Sequence, residues 1–360
     1  MTIKVVQWTS GRVARESVRA IQSHAGMELV GMYARSAEKA GRDAGELVGI
    51  DTLGVTATSD VEALIALRPD VVSYNPLYPD IDHLEALLRA GINVSTTCNF
   101  ITGWGLDYSP ERYGPNARAR IQEAALSGGA SMFGSGINPG HINYQACVVS
   151  SLCESISHLS ITEAVLDIVP FLGDPNIAEF GYGQPLDTPG LYDRQKTESA
   201  VFGDAIELMA SLLDIELEDI RCSVDLAPAT EDIDTPGGLI KEGTIGGVQL
   251  RWEGIANGRP VLENKQIWIC GKRVSGIESW KGANQHGYHV SIAGNPNVHN
   301  VTLSFPQGDL SKLTLADKQA LGMRITALPA VNAIPAVCAA KPGIVTYRDI
   351  APVAASGRLG

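Results

Sequence analysis

The run Ile3-Lys4-Val5-Val6-Gln7-Trp8, followed by Thr9-Ser10-Gly11-Arg12-Val13-Ala14, decides how this chain folds. The first six residues are a short run built on the β-branched, apolar Ile3, Val5 and Val6 and read as a strand. From Arg15 to Ile21 the apolar positions Val18 and Ile21 recur at helical spacing. A strand, a tight glycine turn and a helix open a dinucleotide-binding βαβ unit. The turn lets the backbone approach a pyrophosphate, and the helix N-terminus offers free N–H groups to its charge. In the register G-x-G-x-x-G, Gly11 keeps the middle position. Thr9 stands at the first and Ala14 at the third, where alanine is tolerated. Thr9, Ser10, Gly11, Arg12 and Val13 are therefore the expected phosphate-binding residues; an ordinary βα turn is the other reading.

Outward from this stretch the pattern continues. Met27 to Tyr33 fits a second strand, which runs into Ala34-Arg35-Ser36 with Lys39 one turn on. NAD-specific folds often end this strand with an acid that binds the ribose 2′-OH. Here Arg35 can stack on adenine and pair with a 2′-phosphate, and Ser36 can hydrogen-bond it. The expected cofactor is NADP, with NAD the alternative because Glu38 stands close by. Helices are expected over Asp60 to Leu67, Ile81 to Ala90 and Ala117 to Ser127, and strands over Val71 to Tyr74, Ile92 to Thr96 and Ser131 to Phe133. Strands alternating with helices imply a parallel, doubly wound sheet, whose ligands bind beyond the carboxyl ends of the strands. That rule selects Asn75, Thr97 to Phe100 and Asn138 to line a nicotinamide pocket.

From His141 the rhythm changes. A helix through Ala146 to Cys153 precedes an apolar strand from Leu159 to Ile168, and Gln195 to Leu213 carries one more helical pattern. Strand-like runs then follow one another at Ile220 to Leu226, Thr244 to Ala256, Lys265 to Gly271, Tyr288 to Ala293 and Val301 to Phe305, which implies an antiparallel sheet. Leu315 to Ala340 is apolar, and its Pro329 and Pro335 are expected to break or kink a helix. The expected fold is α/β: an N-terminal Rossmann-type doubly wound parallel sheet plus an α+β second domain with an open, mostly antiparallel sheet. The domains are placed at 1–140, 141–314 and a C-terminal segment, 315–360, that returns to the first.

Composition narrows the class. At 360 residues two domains are the default, and 44% hydrophobic with 19% charged residues describes a globular protein with ample core. A net charge of -12 argues against nucleic acid as a partner. Six cysteines, at 98, 147, 153, 222, 270 and 338, show no C-x-x-C and no metal-ligand spacing, so buried free thiols in a reducing compartment and no metal are expected. No signal peptide is read before the first strand, and no apolar stretch is read as approaching the ~20 residues a membrane helix needs. The expected place is the cytoplasm, away from membranes.

The motifs converge. Val5-Val6-Gln7-Trp8 precedes the glycine turn, and Gly41-Arg42-Asp43-Ala44-Gly45-Glu46-Leu47 follows the second strand. Gly134-x-Gly136-Ile137-Asn138-Pro139-Gly140 comes later, and Val331-Asn332-Ala333-Ile334-Pro335 and Ala340-Lys341-Pro342-Gly343 close the set. Together they resemble the dihydrodipicolinate-reductase-like proteins, which include diaminopentanoate dehydrogenase and NAD(P)H-dependent amine dehydrogenases. The resemblance implies a homodimer, a nucleotide-binding N-terminal domain and hydride transfer at a C=N or C=O carbon. True dihydrodipicolinate reductases carry a His-His pair followed by a lysine, and this sequence has no such pair. The amine dehydrogenases use an acidic residue just after the strand corresponding to Ile92 to Thr96. Here Cys98-Asn99-Phe100-Ile101 has no carboxylate, and a neutral amide is no base near neutral pH.

Each candidate has two readings. Asn138 could hold the nicotinamide carboxamide or cap a turn. Asn99 could orient a substrate carbonyl or imine, or be a loop amide. His141 could donate a proton to a developing alkoxide or amine, or be structural. Tyr144 lies close to His141, and Tyr182 lies in a loop that the resemblance places near the pocket; each is a proton donor or a pocket wall. His286 and Tyr288 fall on one strand face and His289 on the other, which argues against a metal pair. Phe100 and Trp104 would supply apolar surface. The expected activity is NAD(P)H-dependent hydride transfer to an imine or carbonyl carbon of a small, fairly apolar substrate. An alkene reductase and a non-catalytic dinucleotide-binding protein are the alternatives.

Overall fold

A computed structural model describes residues 2–309 and 312–358; residues 1, 310–311 and 359–360 of the expected domain ranges lie outside these. In chain order the first half comprises β1 (Ile3–Trp8), α1 (Arg12–Gln22), β2 (Met27–Tyr33), α2 (Ala44–Val48), β3 (Ala57–Thr58), α3 (Val61–Ala66), β4 (Val71–Tyr74), α4 (Ile81–Arg89), β5 (Asn93–Thr96), α5 (Trp104–Tyr108), α6 (Pro110–Tyr113), α7 (Ala117–Gly128) and β6 (Ser131–Gly134). Then come α8 (His141–Val149), β7 (Ser155–Val165), α9 (Pro175–Ala178), α10 (Leu191–Glu198), α11 (Ala200–Leu212), β8 (Asp219–Pro228), β9 (Ile233–Thr235), β10 (Gly238–Ile240), β11 (Ile245–Ala256), β12 (Arg259–Ile269), β13 (Gly287–Asn295), β14 (Val298–Thr302), α12 (Leu315–Cys338) and β15 (Gly343–Val345). Residues 1–141 with 322–360 form one unit and 142–321 the other.

In the first unit seven strands pair in the order β15-β6-β5-β4-β1-β2-β3, and every pairing is parallel. Six of them follow the doubly wound order, in which the chain reverses direction between β1 and β4 and opens a crevice there. Both faces of the sheet are covered, as a parallel sheet requires. Val5 and Val6 point to opposite faces. Val5 joins Val18, Ile21, Val331 and Ile334 in one core, and Val6 joins Trp8, Val72, Leu84 and Ile121 in the other.

The Gly41 to Leu47 motif is accounted for by this scaffold. Asp43 caps α2 and accepts from the N–H groups of Gly45 (2.7 Å), Leu53 (3.0 Å) and Gly54 (2.8 Å). Those bonds, Leu53 first, hold its carboxyl below the usual range. Any side chain at position 45 would meet the carbonyl of Asp51, so only glycine fits there.

Helix α12 corrects the expected break at the prolines and the reading that no apolar stretch approaches the length of a membrane helix. It is continuous through Pro329 and Pro335, and at 24 residues it is long and apolar enough to cross a membrane by length and composition. Its C-terminal half is instead buried within the first unit through Ala327, Ala330, Val331, Ile334 and Val337. Ser95 and Ser131, on β5 and β6, donate to its carbonyls at Ala330 and Val337, both at 2.7 Å.

The second unit carries a six-stranded sheet, β14-β13-β7-β12-β11-β8, and a two-stranded one, β9 with β10. In the larger sheet β7 and β12 are parallel and the other pairs antiparallel. Helix α11 packs on one face, where the Trp252 indole donates to Ser199 Oγ (3.0 Å). The single helix expected over Gln195 to Leu213 is two, α10 and α11, divided at Ser199. The helix expected over Ala146 to Cys153 begins earlier, at His141, and ends in a 3₁₀ turn at Ser150–Leu152. None of the six cysteines is in a disulfide; Cys98 and Cys270 are buried and the other four half-buried.

Candidate functional site

The crevice of the first unit is built from the loops that leave β1, β2, β4, β5 and β6. At the first, Thr9 has φ of 75°, the left-handed conformation that glycine supplies in the usual motif. A β-branched residue held there is under strain. The turn is fixed by Thr9 N donating to Tyr33 O (3.0 Å) and Thr9 Oγ1 to Asn75 O (3.4 Å). The departure at Thr9 thus keeps the geometry of the motif.

Gly11 is the N-cap residue of α1, in ordinary extended backbone, with no side-chain cap and no acidic residue in the first turn. A Cβ at Gly11 would meet nothing within 4 Å, so the approach to the helix start is open. Free N–H groups, the positive end of the helix dipole and open space together suit an anionic group. Ser10, Arg12 and Val13 flank this start, and Gly11 and Arg12 are exposed. After β2, Arg35, Ser36 and Lys39 are all exposed. The side chains of Arg35 and Lys39 make no hydrogen bond or ion pair among the described residues. The residue that ends β2 is Tyr33, not an acid, and its ring stacks on Trp8 with centroids 4.2 Å apart. These features fit a dinucleotide.

Strand ends β1, β4 and β5 are joined by side chains. Gln7 Nε2 donates to Trp8 O (2.8 Å) and to Asn75 Oδ1 (2.7 Å), and Asn75 Nδ2 donates to Thr97 Oγ1 (2.8 Å). Asn99 N donates to Leu77 O (3.1 Å), tying the loop after β5 to the loop after β4. The Asn99 side chain is half-buried and makes no hydrogen bond among the described residues. Trp104 and Tyr108 stack at 5.0 Å in α5, and the Arg112 guanidinium lies 4.2 Å over the Tyr78 ring.

Beyond β6, Asn138 lies in the loop closed by His141 N donating to Gly136 O (2.9 Å). Burial holds the His141 imidazole below its ordinary 6.5, and its buried Nδ1 has no partner among the described residues. Its ring lies 6.5 Å from that of Tyr347, whose hydroxyl is 2.7 Å from Ser135 Oγ. Gln7 and Tyr347 were not singled out in the sequence. A lone amide inside an apolar strand was the available signal for Gln7. Nothing local marks Tyr347, which meets Ser135 across 212 positions.

The structure therefore brings Thr9, Asn75 and Thr97 into one hydrogen-bonded group, with Gly11 to Val13 and the Arg35 segment on neighbouring strand ends. Tyr144 and Tyr182 belong to the second unit. Tyr144 is half-buried in α8, three residues after His141. The Tyr182 hydroxyl donates to Trp268 O (2.8 Å), and burial raises it well above its ordinary value. The hydroxyl is thus engaged within the second unit. His289 Nε2 lies 3.2 Å from His286 O, and among the described residues no group of three His, Cys, Asp or Glu is placed to hold a metal.

Comparison with known proteins shows what the chain is similar to. The family described as dihydrodipicolinate reductase, N-terminus, matches residues 3–74. An amine dehydrogenase of Streptomyces virginiae is 28% identical over 371 residues, covering 99% of each chain. The 2,4-diaminopentanoate dehydrogenase of Acetoanaerobium sticklandii is 22% identical over 274 residues, 75% of this chain and 69% of that one. Among solved structures, an amine dehydrogenase from Mycobacterium smegmatis shares the fold with a TM-score of 0.78 at 19% identity, covering 100% of this chain and 99% of that one. With the parallel sheet and its open glycine turn, these matches make the chain an NAD(P)-dependent oxidoreductase that is similar to the dihydrodipicolinate-reductase-like proteins.

Proposed function

We propose that this chain binds NADPH in the crevice of its first unit and reduces the carbonyl or imine carbon of a small, fairly apolar substrate. The observation that carries the reading is the uncapped start of α1 beneath an open Gly11, with Arg35 and Lys39, unpaired among the described residues, on the adjoining strand end. The helix N–H groups would hold the pyrophosphate, and Arg35 with Ser36 and Lys39 the 2′-phosphate. Bound there, the nicotinamide supplies the hydride. The residues of this chain bind, orient and exclude water: Asn75 and Thr97 line the strand ends, and Phe100 and Trp104 add apolar surface. Asn138 orients the carboxamide in this reading, and Asn99 orients the reacting group as a hydrogen-bond partner rather than a base. His141 and Tyr144 are the proposed proton donors. A homodimer in the cytoplasm belongs to the same proposal.

The test follows NADPH and NADH absorbance with a panel of aliphatic and cyclic ketones, each with and without excess ammonia. Ammonia-dependent oxidation assigns reductive amination, with Asn99 or a neighbour in place of a carboxylate. Ammonia-independent oxidation assigns a carbonyl reductase. NADPH binding without oxidation of any ketone overturns the carbonyl reading and moves the activity to an activated alkene or preformed imine.

A further inference from the structure

We infer that the ends of β4 and β5 form a site with two hydrogen-bond donors for an acceptor oxygen, and that Gln7 is the positioning residue that fixes this polarity. The argument starts at the Trp8 carbonyl, which can only accept. The Gln7 amide faces it with Nε2 (2.8 Å), so the same nitrogen faces Asn75 Oδ1 (2.7 Å). Both Gln7 hydrogens are thereby engaged, and its Oε1 is buried with no partner among the described residues. Asn75 Oδ1 takes a second bond from Ser73 Oγ (3.2 Å), which uses its two lone pairs. Asn75 Nδ2 is left to face Thr97, so Thr97 Oγ1 must accept (2.8 Å).

Two hydrogens have no acceptor among the described residues: the Thr97 hydroxyl proton and the second Nδ2 hydrogen of Asn75. Both residues are half-buried at the crevice. Their shared requirement is an acceptor oxygen, either on the nicotinamide half of the dinucleotide or on the carbonyl of the substrate. The inference rests on the proposed dinucleotide crevice and adds to it a direction: the chain of side chains runs from donor to acceptor toward the ligand, and a single backbone carbonyl sets it. A carboxylate at position 7 would face Asn75 with acceptors only. It would turn the Asn75 amide over, make Thr97 donate to Asn75 and close the site.

The test uses the full chain and its Thr97→Val, Thr97→Ser, Gln7→Glu and Gln7→Met variants. Calorimetry measures Kd for NADPH and for 2′,5′-ADP, which lacks the nicotinamide half, and melting checks each fold. Where the oxygen is on the nicotinamide half, Thr97→Val and Gln7→Glu each weaken NADPH binding by about tenfold, the size of one hydrogen bond. Thr97→Ser restores it, and 2′,5′-ADP binding stays as in the wild type. Where the oxygen is on the substrate, both Kd values hold and kcat/KM falls by the same factor. If Gln7→Glu does not fold, Gln7→Met serves, with a smaller loss because Asn75 is freed rather than reversed. Wild-type binding and kcat/KM in Thr97→Val overturn the donor site, and a loss confined to the Thr97 variants overturns the role of Gln7. If the wild type binds 2′,5′-ADP and NADPH equally poorly, the dinucleotide reading fails, and this inference fails with it.

Discussion

Arg35 and Lys39 in the first unit and Arg251 and Lys265 in the second are cations in opposite circumstances. The first two are exposed on the loop after β2, with no ion-pair partner among the described residues. The second two stand on the paired strands β11 and β12 and share Glu263 at 3.5 and 3.1 Å, with Asp225 3.9 Å from Arg251. In a chain with a net charge of -12, carboxylates are not scarce. Cations left open beside an uncapped helix start suit a mobile anion, whereas cations locked to carboxylates suit a scaffold. Hydrogen bonding follows the same division. Thr97 and Asn75 keep donors toward the crevice, while Tyr182 and Trp268 engage Trp268 O and Glu163 within the second unit.

The largest expected effect separates binding from folding in the first unit. Gly11→Asp places a carboxylate at the N-cap of α1, where it can cap the helix and stabilise it by a few tenths of a kcal/mol. The same carboxylate occupies the open approach, so NADPH binding is expected to weaken by roughly a thousandfold with an unchanged or slightly higher Tm. Retained binding would show that the helix start is not the phosphate site. The mirror experiment is Glu263→Gln in the second unit. It leaves Lys265, whose side chain is 9% exposed, and Arg251 without their shared carboxylate. A stability loss of about 2 kcal/mol is expected, with NADPH Kd unchanged. A change in Kd would break the division between ligand-facing and scaffold cations.

A smaller effect sharpens the cofactor preference. Arg35→Ala is expected to weaken NADPH binding by about tenfold, and NADH binding hardly at all, with a gap that narrows as salt rises. Equal losses for both cofactors would place Arg35 against adenine rather than a 2′-phosphate.

Much of the first unit was legible because its strands are continuous apolar runs. The expected ranges of β1, β2 and β4 match the structure at both ends. Asp60 and Asp80 mark the starts of α3 and α4 as side-chain caps. Legibility fails where tertiary contact overrides local rule. The polar run Gln195 to Ser199 leads without a glycine or proline into the apolar spacing that starts at Val201, so one helix was read where the backbone makes two. Pro329 and Pro335 signal a break, yet α12 is continuous, with its C-terminal half packed in the first unit's cores. At the candidate site, the strand-end rule singled out Asn75 and Thr97 but not Gln7. An amide inside a strand reveals its role only when the neighbouring strand is in place.

His141 gives the smallest effect and the sharpest question about which group it joins. Its Nδ1 is buried without a partner among the described residues, and burial lowers its proton affinity below the ordinary value of 6.5. The unfolded chain therefore takes up a proton at this site before the folded one does. The resulting stability is complete above about pH 6.5, declines as the pH falls toward the folded value, and levels off below it. His141→Gln is expected to remove that component, flattening Tm between pH 7 and pH 5 by about 2 °C relative to the wild type. An unaltered profile would mean that the ring is solvated. Repeating the melts with NADPH then sorts the residue. A titration that changes on binding joins His141 to the open groups of the crevice, and one that does not leaves it, like Tyr182, among the groups that hold the scaffold.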